Sequence, residues 1–144
     1  MGASCVVGPL YAPVGKARLG TESLRRAQWE RSVASLSQLA QTAGNCGVKL
    51  GLEPLNRFET DMINNVADAQ RFLQQVASPH LGISLDSFHM NIEEEDLAES
   101  LSKNAKNIGH VHFADSNRRP MGFGHTDMKP IAMALKDSGY PGFV

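Results

Sequence analysis

The sequence predicts an α/β fold in which parallel strands alternate with helices, and two observations predict it. Short apolar runs recur along the chain, and between them apolar residues recur at steps of three and four, the spacing of one helix face. The runs are almost continuously apolar, which indicates parallel strands covered on both faces. Of the 144 residues, 42% are hydrophobic and 20% are charged, as in ordinary globular proteins. One domain over residues 1–144 is therefore expected.

The predicted elements follow in chain order. The strands are expected at 3–8, 48–53, 81–86 and 108–113, and the helices at 21–44, 61–77, 93–106 and 127–138. Pro9 and Gly15 interrupt regular structure after the first strand, Gly44 ends the first helix and Pro79 stops the second. Residues 142–144 resemble the start of a fifth strand.

Two architectures fit this alternation, a doubly wound open sheet and an eight-stranded β/α barrel. The loop at 8–15 lacks the G-x-G-x-x-G pattern of a dinucleotide-binding sheet, and no P-loop occurs elsewhere. A barrel places functional side chains at the C-terminal ends of its strands, and polar residues stand there in this sequence. Because a complete barrel takes eight strands and about 250 residues, we expect a partial barrel.

Charge and cysteine content exclude several classes of protein. Fourteen Lys and Arg against fifteen Asp and Glu give a net charge of −1, so neither nucleic acid nor an anionic membrane is an expected partner. No run approaches the roughly 20 apolar residues of a spanning helix, and the first residues lack signal-peptide features. Cys5 and Cys46 form no zinc or disulfide pattern. A cytoplasmic protein with reduced thiols is expected.

Three successive predicted strands end in residues that can bind a metal ion. Glu53, Asp86 and His112 are 33 and 26 residues apart, yet the ends of parallel barrel strands lie at one level around the axis. Two carboxylates and one imidazole form a mostly hard donor set that suits Mn²⁺ or Mg²⁺, with Co²⁺ as an alternative. His110 faces the same side as His112, so both a supporting role and a second ligand role stay open.

Further polar residues follow these strand ends and predict the mouth of a pocket. Such a ring of donors and acceptors suits a small polyhydroxylated substrate. Phe58 and Phe88 stand among them and either wall the pocket or pack the loops. The polar residues of the ring are Asn56, Arg57, Glu59, His89, Asp115, Asn117, Arg118 and Arg119.

Five motifs carry a resemblance to a known family. In chain order they are GPLYAPVG (8–15), EPLNRFE (53–59), LDSFHMNIE (85–93), HVHFADS (110–116) and GHTD (124–127). Together they resemble the xylose isomerase-like TIM-barrel superfamily, and within it the ketose 3-epimerases of the D-tagatose and D-psicose (allulose) type. The resemblance covers nearly the whole chain, from about the fourth barrel strand into the eighth. It therefore implies a partial (β/α)8 barrel.

The resemblance also implies roles for individual residues. Glu53, Asp86 and His112 match positions that bind the divalent metal, for which Mn²⁺ is the first expectation. Glu53 also matches a catalytic acid/base. The positions matching those that hold substrate oxygens are Glu59, His89 and Arg118.

The implied reaction is epimerisation of a sugar at C3. In such epimerases the metal polarises the C2 carbonyl and the C3 oxygen, one glutamate removes the C3 proton and a second returns a proton to the opposite face, through a cis-enediolate. The resemblance places that second glutamate, also the fourth metal ligand, shortly beyond Val144. Hydroxypyruvate isomerases and inosose dehydratases share the barrel and remain alternatives, whereas the endonuclease IV type needs more histidine ligands.

The resemblance finally implies that the chain lacks the N-terminal barrel strands and the end of the last strand. An open arc of parallel strands leaves two unpaired edges, so self-association through those edges, or a homo-oligomer, is expected. A catalytically silent piece of an active parent is the alternative to an active enzyme.

Overall fold

A computed structural model describes residues 2–15 and 20–144 of the chain, and in this part strands and helices alternate as predicted. The strands are β1 (Cys5–Gly8), β2 (Lys49–Leu52), β3 (Leu81–Asp86) and β4 (Ile108–His112). The helices are α1 (Glu22–Asn45), α2 (Val66–Val76), α3 (Ser87–Glu93), α4 (Leu97–Asn104) and α5 (Met128–Asp137). A short 3-10 turn, Ala105–Asn107, leads from α4 into β4.

The four strands form one parallel sheet in the order β1-β2-β3-β4. Leu50, Leu52 and Leu85 are at most 3% exposed and belong to the core. Because successive side chains of a strand point to opposite faces, Glu53 lies on the opposite face from Leu52, on the inner side of the arc. The outer edges of β1 and β4 are unpaired within the described residues. The architecture is half of a β/α barrel, which confirms the predicted fold class.

Side-chain caps explain where the helices begin. Thr21 accepts a hydrogen bond from the N–H of Leu24 and caps α1, so this helix begins next to its predicted start. The second helix was predicted from residue 61 but begins at Val66. The side chain of Asn65 accepts a hydrogen bond from the N–H of Asp68 at 2.8 Å and so caps the N-terminus of the helix there. Trp29 in α1 is half-buried and meets Phe72 of α2 edge-on, with ring centres 5.2 Å apart, so it packs the two helices together.

Two sequence-based predictions are wrong. The helix expected at 93–106 begins only at Leu97, as α4 with Asp96 as its cap, because the unpredicted α3 precedes it and the chain breaks at Glu94 in extended conformation. The expected strand at 142–144 is absent. The hydroxyl of Tyr140 donates to the carbonyl of Phe143 at 3.2 Å, so this segment folds back on itself instead of pairing with β4.

Gly82 allows β3 and β4 to approach closely. A Cβ at this position would lie 3.0 Å from the carbonyl oxygen of Asn107 and 3.1 Å from the Cα of Gly109. These are backbone atoms of β4 and of the 3-10 turn that leads into it, and they cannot rotate away. Gly82→Ala is therefore expected to destabilise the fold by about 1–3 kcal/mol in urea unfolding. Gly20→Ala, whose Cβ would meet Leu24 at an ordinary 3.4 Å, is the control and should stay within about 0.5 kcal/mol of wild type.

Candidate metal and substrate site

The three predicted metal ligands converge at the C-terminal ends of β2, β3 and β4. His112 Nδ1 lies 3.5 Å from Glu53 Oε1 and 3.9 Å from Asp86 Oδ2. The carboxylate side chains are only 12% and 9% exposed, whereas the imidazole is 42% exposed. Glu53 directly follows β2, and its N–H donates to the carbonyl of Gly8 at 3.0 Å, which ties the ends of β1 and β2 together.

Asp86 is held in place by the helix that follows it. Its Oδ1 accepts the N–H of Phe88 at 2.9 Å and so caps α3, which leaves Oδ2 directed toward His112. No loop separates β3 from α3, so His89 lies in the first turn of the helix, close to the carboxylate. One short segment therefore supplies two residues of the site.

His89 is the second histidine of this site. Among the described residues, ligand atoms of Glu53, Asp86 and His89 all lie within 4.8 Å of one another. His89 is 1% exposed, and its Nε2 has no hydrogen-bond partner among residues 2–15 and 20–144. Its Nδ1 accepts the backbone N–H of Asn56 at 3.1 Å. Because Nδ1 thereby acts as an acceptor, the neutral ring carries its proton on Nε2, where it is a donor and not a metal ligand.

Asn56 organises the loop after β2. Its Oδ1 accepts the N–H of Phe58 at 3.0 Å, which fixes the amide so that Nδ2 points the other way. Nδ2 then lies 2.9 Å from His89 Nδ1 and donates to Glu59 Oε1 at 3.0 Å. The side chain of Asn56, 2% exposed, thus holds two predicted substrate contacts at once. The sequence placed Asn56 only among the polar residues of the pocket mouth.

Arg118 reaches the site from the loop after β4. Its Nη1 donates to Glu59 Oε1 at 3.1 Å, and its guanidinium carbon lies 4.8 Å from the ring centre of Phe88. Phe88 therefore supports Arg118 at the pocket mouth, while Phe58 is 79% exposed. Glu59, His89 and Arg118 accordingly surround the predicted metal ligands.

Other polar residues of the predicted ring have different contacts. Arg57 makes a two-pronged ion pair with Glu93, with both nitrogen–oxygen distances at 3.0 Å, and so joins the loop after β2 to the end of α3. Asn117 donates to the carbonyl of Phe123 within its own loop. The ring of His110 packs edge-on against His112, with centres 4.7 Å apart. His110 thus supports the ring of a predicted ligand.

The charge of the site fits a divalent cation. Burial, and then the negative charge of Asp86, raise the pKa of Glu53, and His112 and Arg118 only partly offset this. Burial lowers the pKa of His89, which favours the neutral form of that ring. The two carboxylates of Glu53 and Asp86 with the imidazole of His112 are a donor set of the kind that Mn²⁺ and Mg²⁺ take.

Comparison with known proteins identifies the family and supports the fold. The xylose isomerase-like TIM barrel family matches residues 1–144. The chain belongs to this family. Its predicted membership is thereby confirmed, and the solved structures agree with it. The D-allulose 3-epimerase of Methylomonas sp. in complex with D-allulose superposes with a TM-score of 0.91 at 35% identity, over 98% of this chain and 48% of that one.

Curated relatives in the family are named epimerases. The L-ribulose 3-epimerase of Mesorhizobium japonicum is 40% identical over 140 residues, which cover 97% of this chain and 46% of the relative. The 3-dehydro-D-guloside 4-epimerase of Escherichia coli is 42% identical over 110 residues, which cover 76% of this chain and 42% of the relative. This xylose isomerase-like chain therefore spans about half the length of the curated relatives it matches. None of its helices in residues 2–15 and 20–144 combines the length and apolar character needed to cross a membrane.

Proposed function

We propose that this chain forms the metal-binding half of a ketose 3-epimerase. One observation carries the proposal: Glu53, Asp86 and His112 converge at the C-terminal edge of the sheet, beside a buried His89 Nε2 that no group in the described part of the chain contacts by a hydrogen bond. The 3-epimerase names of several relatives support the reaction class. The self-association expected from the open edges of β1 and β4 and the cytoplasmic location remain predictions.

Glu53, Asp86 and His112 would hold the metal, with Mn²⁺ as the first candidate. A bound divalent ion would stabilise negative charge on the substrate oxygens next to the carbon that inverts. His89 is excluded from the ligand set because its Nδ1 is occupied by Asn56 and its Nε2 bears the proton.

Glu53 is the proposed acid/base. Its side chain is only 12% exposed and stands at the end of β2 beside the other proposed ligands, where a sugar bound to the metal would lie next to it. A proton next to a ketone is removed when such a carboxylate lies beside the carbon and the developing oxyanion is stabilised.

Glu59, His89 and Arg118 are the proposed substrate contacts. His89 offers an Nε2–H donor, Arg118 offers guanidinium N–H donors and Glu59 offers a carboxylate acceptor. Arg118 is already paired with Glu59, so the mouth presents a balanced set of donors and acceptors. Hydroxyl groups, which both donate and accept, are the substrate groups that match such a set.

The proposal is tested by proton exchange on the chain itself. In D₂O with Mn²⁺, the wild type is expected to replace the C3 proton of D-psicose or L-ribulose with deuterium, read by NMR after the metal is removed. A C3 epimer in the product would extend the result to the full reaction. The reaction of the E. coli relative needs a ketone at C3, so C4 exchange on a 3-keto sugar, without C3 exchange on the ketoses, would instead favour that reaction. If the folded chain binds Mn²⁺ but does not exchange the C3 proton of either ketose, the assignment of Glu53 as a base that acts in this chain is wrong.

A further inference from the structure

The loop after β4 is built around one buried carboxylate. Asp115 is 1% exposed and accepts the backbone N–H groups of Ser116 at 2.7 Å, Gly122 at 2.8 Å and Thr126 at 3.1 Å. These donors, led by Thr126, hold the pKa of Asp115 well below its usual range. A Cβ on Gly124 would overlap the same carboxylate. The loop therefore folds around a charge and not around an apolar core.

The same residue fixes the backbone that carries Arg118. The carbonyl of Asp115 accepts the N–H of Arg118 at 2.8 Å, and the N–H of Asp115 donates to the carbonyl of Arg119 at 2.8 Å. Between these two bonds Arg118 adopts a φ of 61°, the left-handed region that costs an ordinary residue about 1–2 kcal/mol. The turn keeps this conformation because both of its ends are held.

The side-chain contacts of Arg118 do not explain its position alone. The side chain is 53% exposed, and its partners are the carboxylate of Glu59 and the ring of Phe88. Exposed ion pairs of this kind hold a flexible side chain weakly. The direction in which the guanidinium leaves the loop must therefore come from the backbone.

We propose that Asp115 is a positioning residue, which holds the guanidinium of Arg118 at the mouth of the site through the folded loop. The contribution of Asp115 to substrate binding rests on the proposed function, because it assumes that Arg118 contacts the sugar. The effect of Asp115 on the position of Arg118 does not depend on that function.

The first test is cleavage by trypsin at the Arg118–Arg119 bond, since the next bond precedes Pro120 and resists the protease. Asp115→Asn keeps the size of the side chain but turns one acceptor into a donor. It is expected to raise the cleavage rate at this bond about tenfold or more, because cleavage follows the population of the open loop. Asp127→Asn is the matched control, since Asp127 caps α5 next to the loop. Trypsin should cleave the Asp127→Asn protein at this bond at the wild-type rate.

The second test reads Arg118 directly and separates positioning from general loss of structure. The Nε–H resonance of Arg118, identified by its loss in Arg118→Lys, is expected to show a ring-current shift from Phe88. Asp115→Asn should move it to the position of a free arginine, while Asp127→Asn leaves it unchanged. A folded Asp115→Asn protein that keeps both this shift and the wild-type cleavage rate would overturn the proposal.

A second variant covers the case in which Asp115→Asn unfolds, seen as cleavage at many Lys and Arg residues. Gly124→Ala leaves the charge intact and crowds the carboxylate from the loop side. Gly124→Ala is also expected to abolish the ring-current shift of the Arg118 Nε–H resonance. A folded Gly124→Ala protein that keeps this shift would overturn the proposal. Neither measurement needs turnover, so a chain without epimerase activity leaves this inference standing, and a failed inference leaves the proposed reaction untouched.

Discussion

Glu53→Gln is expected to weaken Mn²⁺ binding at least about a hundredfold, because it removes a ligand whose effect should exceed the 10–100-fold of residues that only support ligands. Isothermal titration of the folded chain measures the change. Glu59→Gln is the matched control, since Glu59 faces Arg118 and Asn56 and is not a proposed ligand. Equal binding by wild type and Glu53→Gln would contradict the proposed metal site.

The same substitution is expected to raise the stability of the metal-free chain. Burial and the charge of Asp86 raise the pKa of Glu53, so its ionised form destabilises the folded state at neutral pH. Glutamine removes that charge at nearly constant size. The thermal midpoint of Glu53→Gln without metal should therefore lie above that of wild type, and a lower midpoint would show that the carboxylate makes a stabilising contact instead.

Asn56→Ala is expected to lower the free energy of unfolding by about 2–4 kcal/mol, since it removes a buried side chain and leaves polar partners unsatisfied. The N–H of Phe58 loses its side-chain acceptor, while His89 Nδ1 and Glu59 Oε1 each lose one contact and keep those to the backbone N–H of residue 56 and to Arg118. Urea unfolding followed by circular dichroism gives the value.

A surface asparagine gives the control for that measurement. Asn107 contacts Gln70 through its side chain at an exposed position, and Asn107→Ala should change the free energy of unfolding by no more than about 0.5 kcal/mol. If the two variants lose equal stability, Asn56 does not organise the loop as its hydrogen bonds indicate.

The sequence predicted the order of strands and helices because each strand is an apolar run and each helix has a regular apolar spacing. It predicted the convergence of Glu53, Asp86 and His112 because parallel strands end at one edge of a sheet. It missed α3 because the segment after Asp86 is a single short helix without a long apolar repeat. The cap was visible, since Asp86 precedes Ser87 as an N-cap residue does.

The roles of Asn56 and Asp115 were harder to predict. Both were recognised as polar residues after strand ends, a position that most often means exposure to solvent. Whether such a side chain faces solvent or turns inward to bind backbone N–H groups depends on the path of its loop. That path depends on contacts between residues far apart in the sequence, such as Asn56 with His89 and Arg118 with Glu59.

Because β3 passes directly into α3, the site residues on this segment can change less in sequence and spacing than those on the loop after β4. Asp86 and His89 sit on a continuous strand–helix segment, so their separation is set by the local backbone and tolerates no insertion between them. Arg118 stands on a loop in which residues 117–125 are exposed, while Gly124 and the buried Asp115 hold its fold. Changes of exposed side chains in this loop that keep Asp115 and Gly124 are therefore a route to altering the proposed substrate contacts, while the four residues 86–89 have to be moved together.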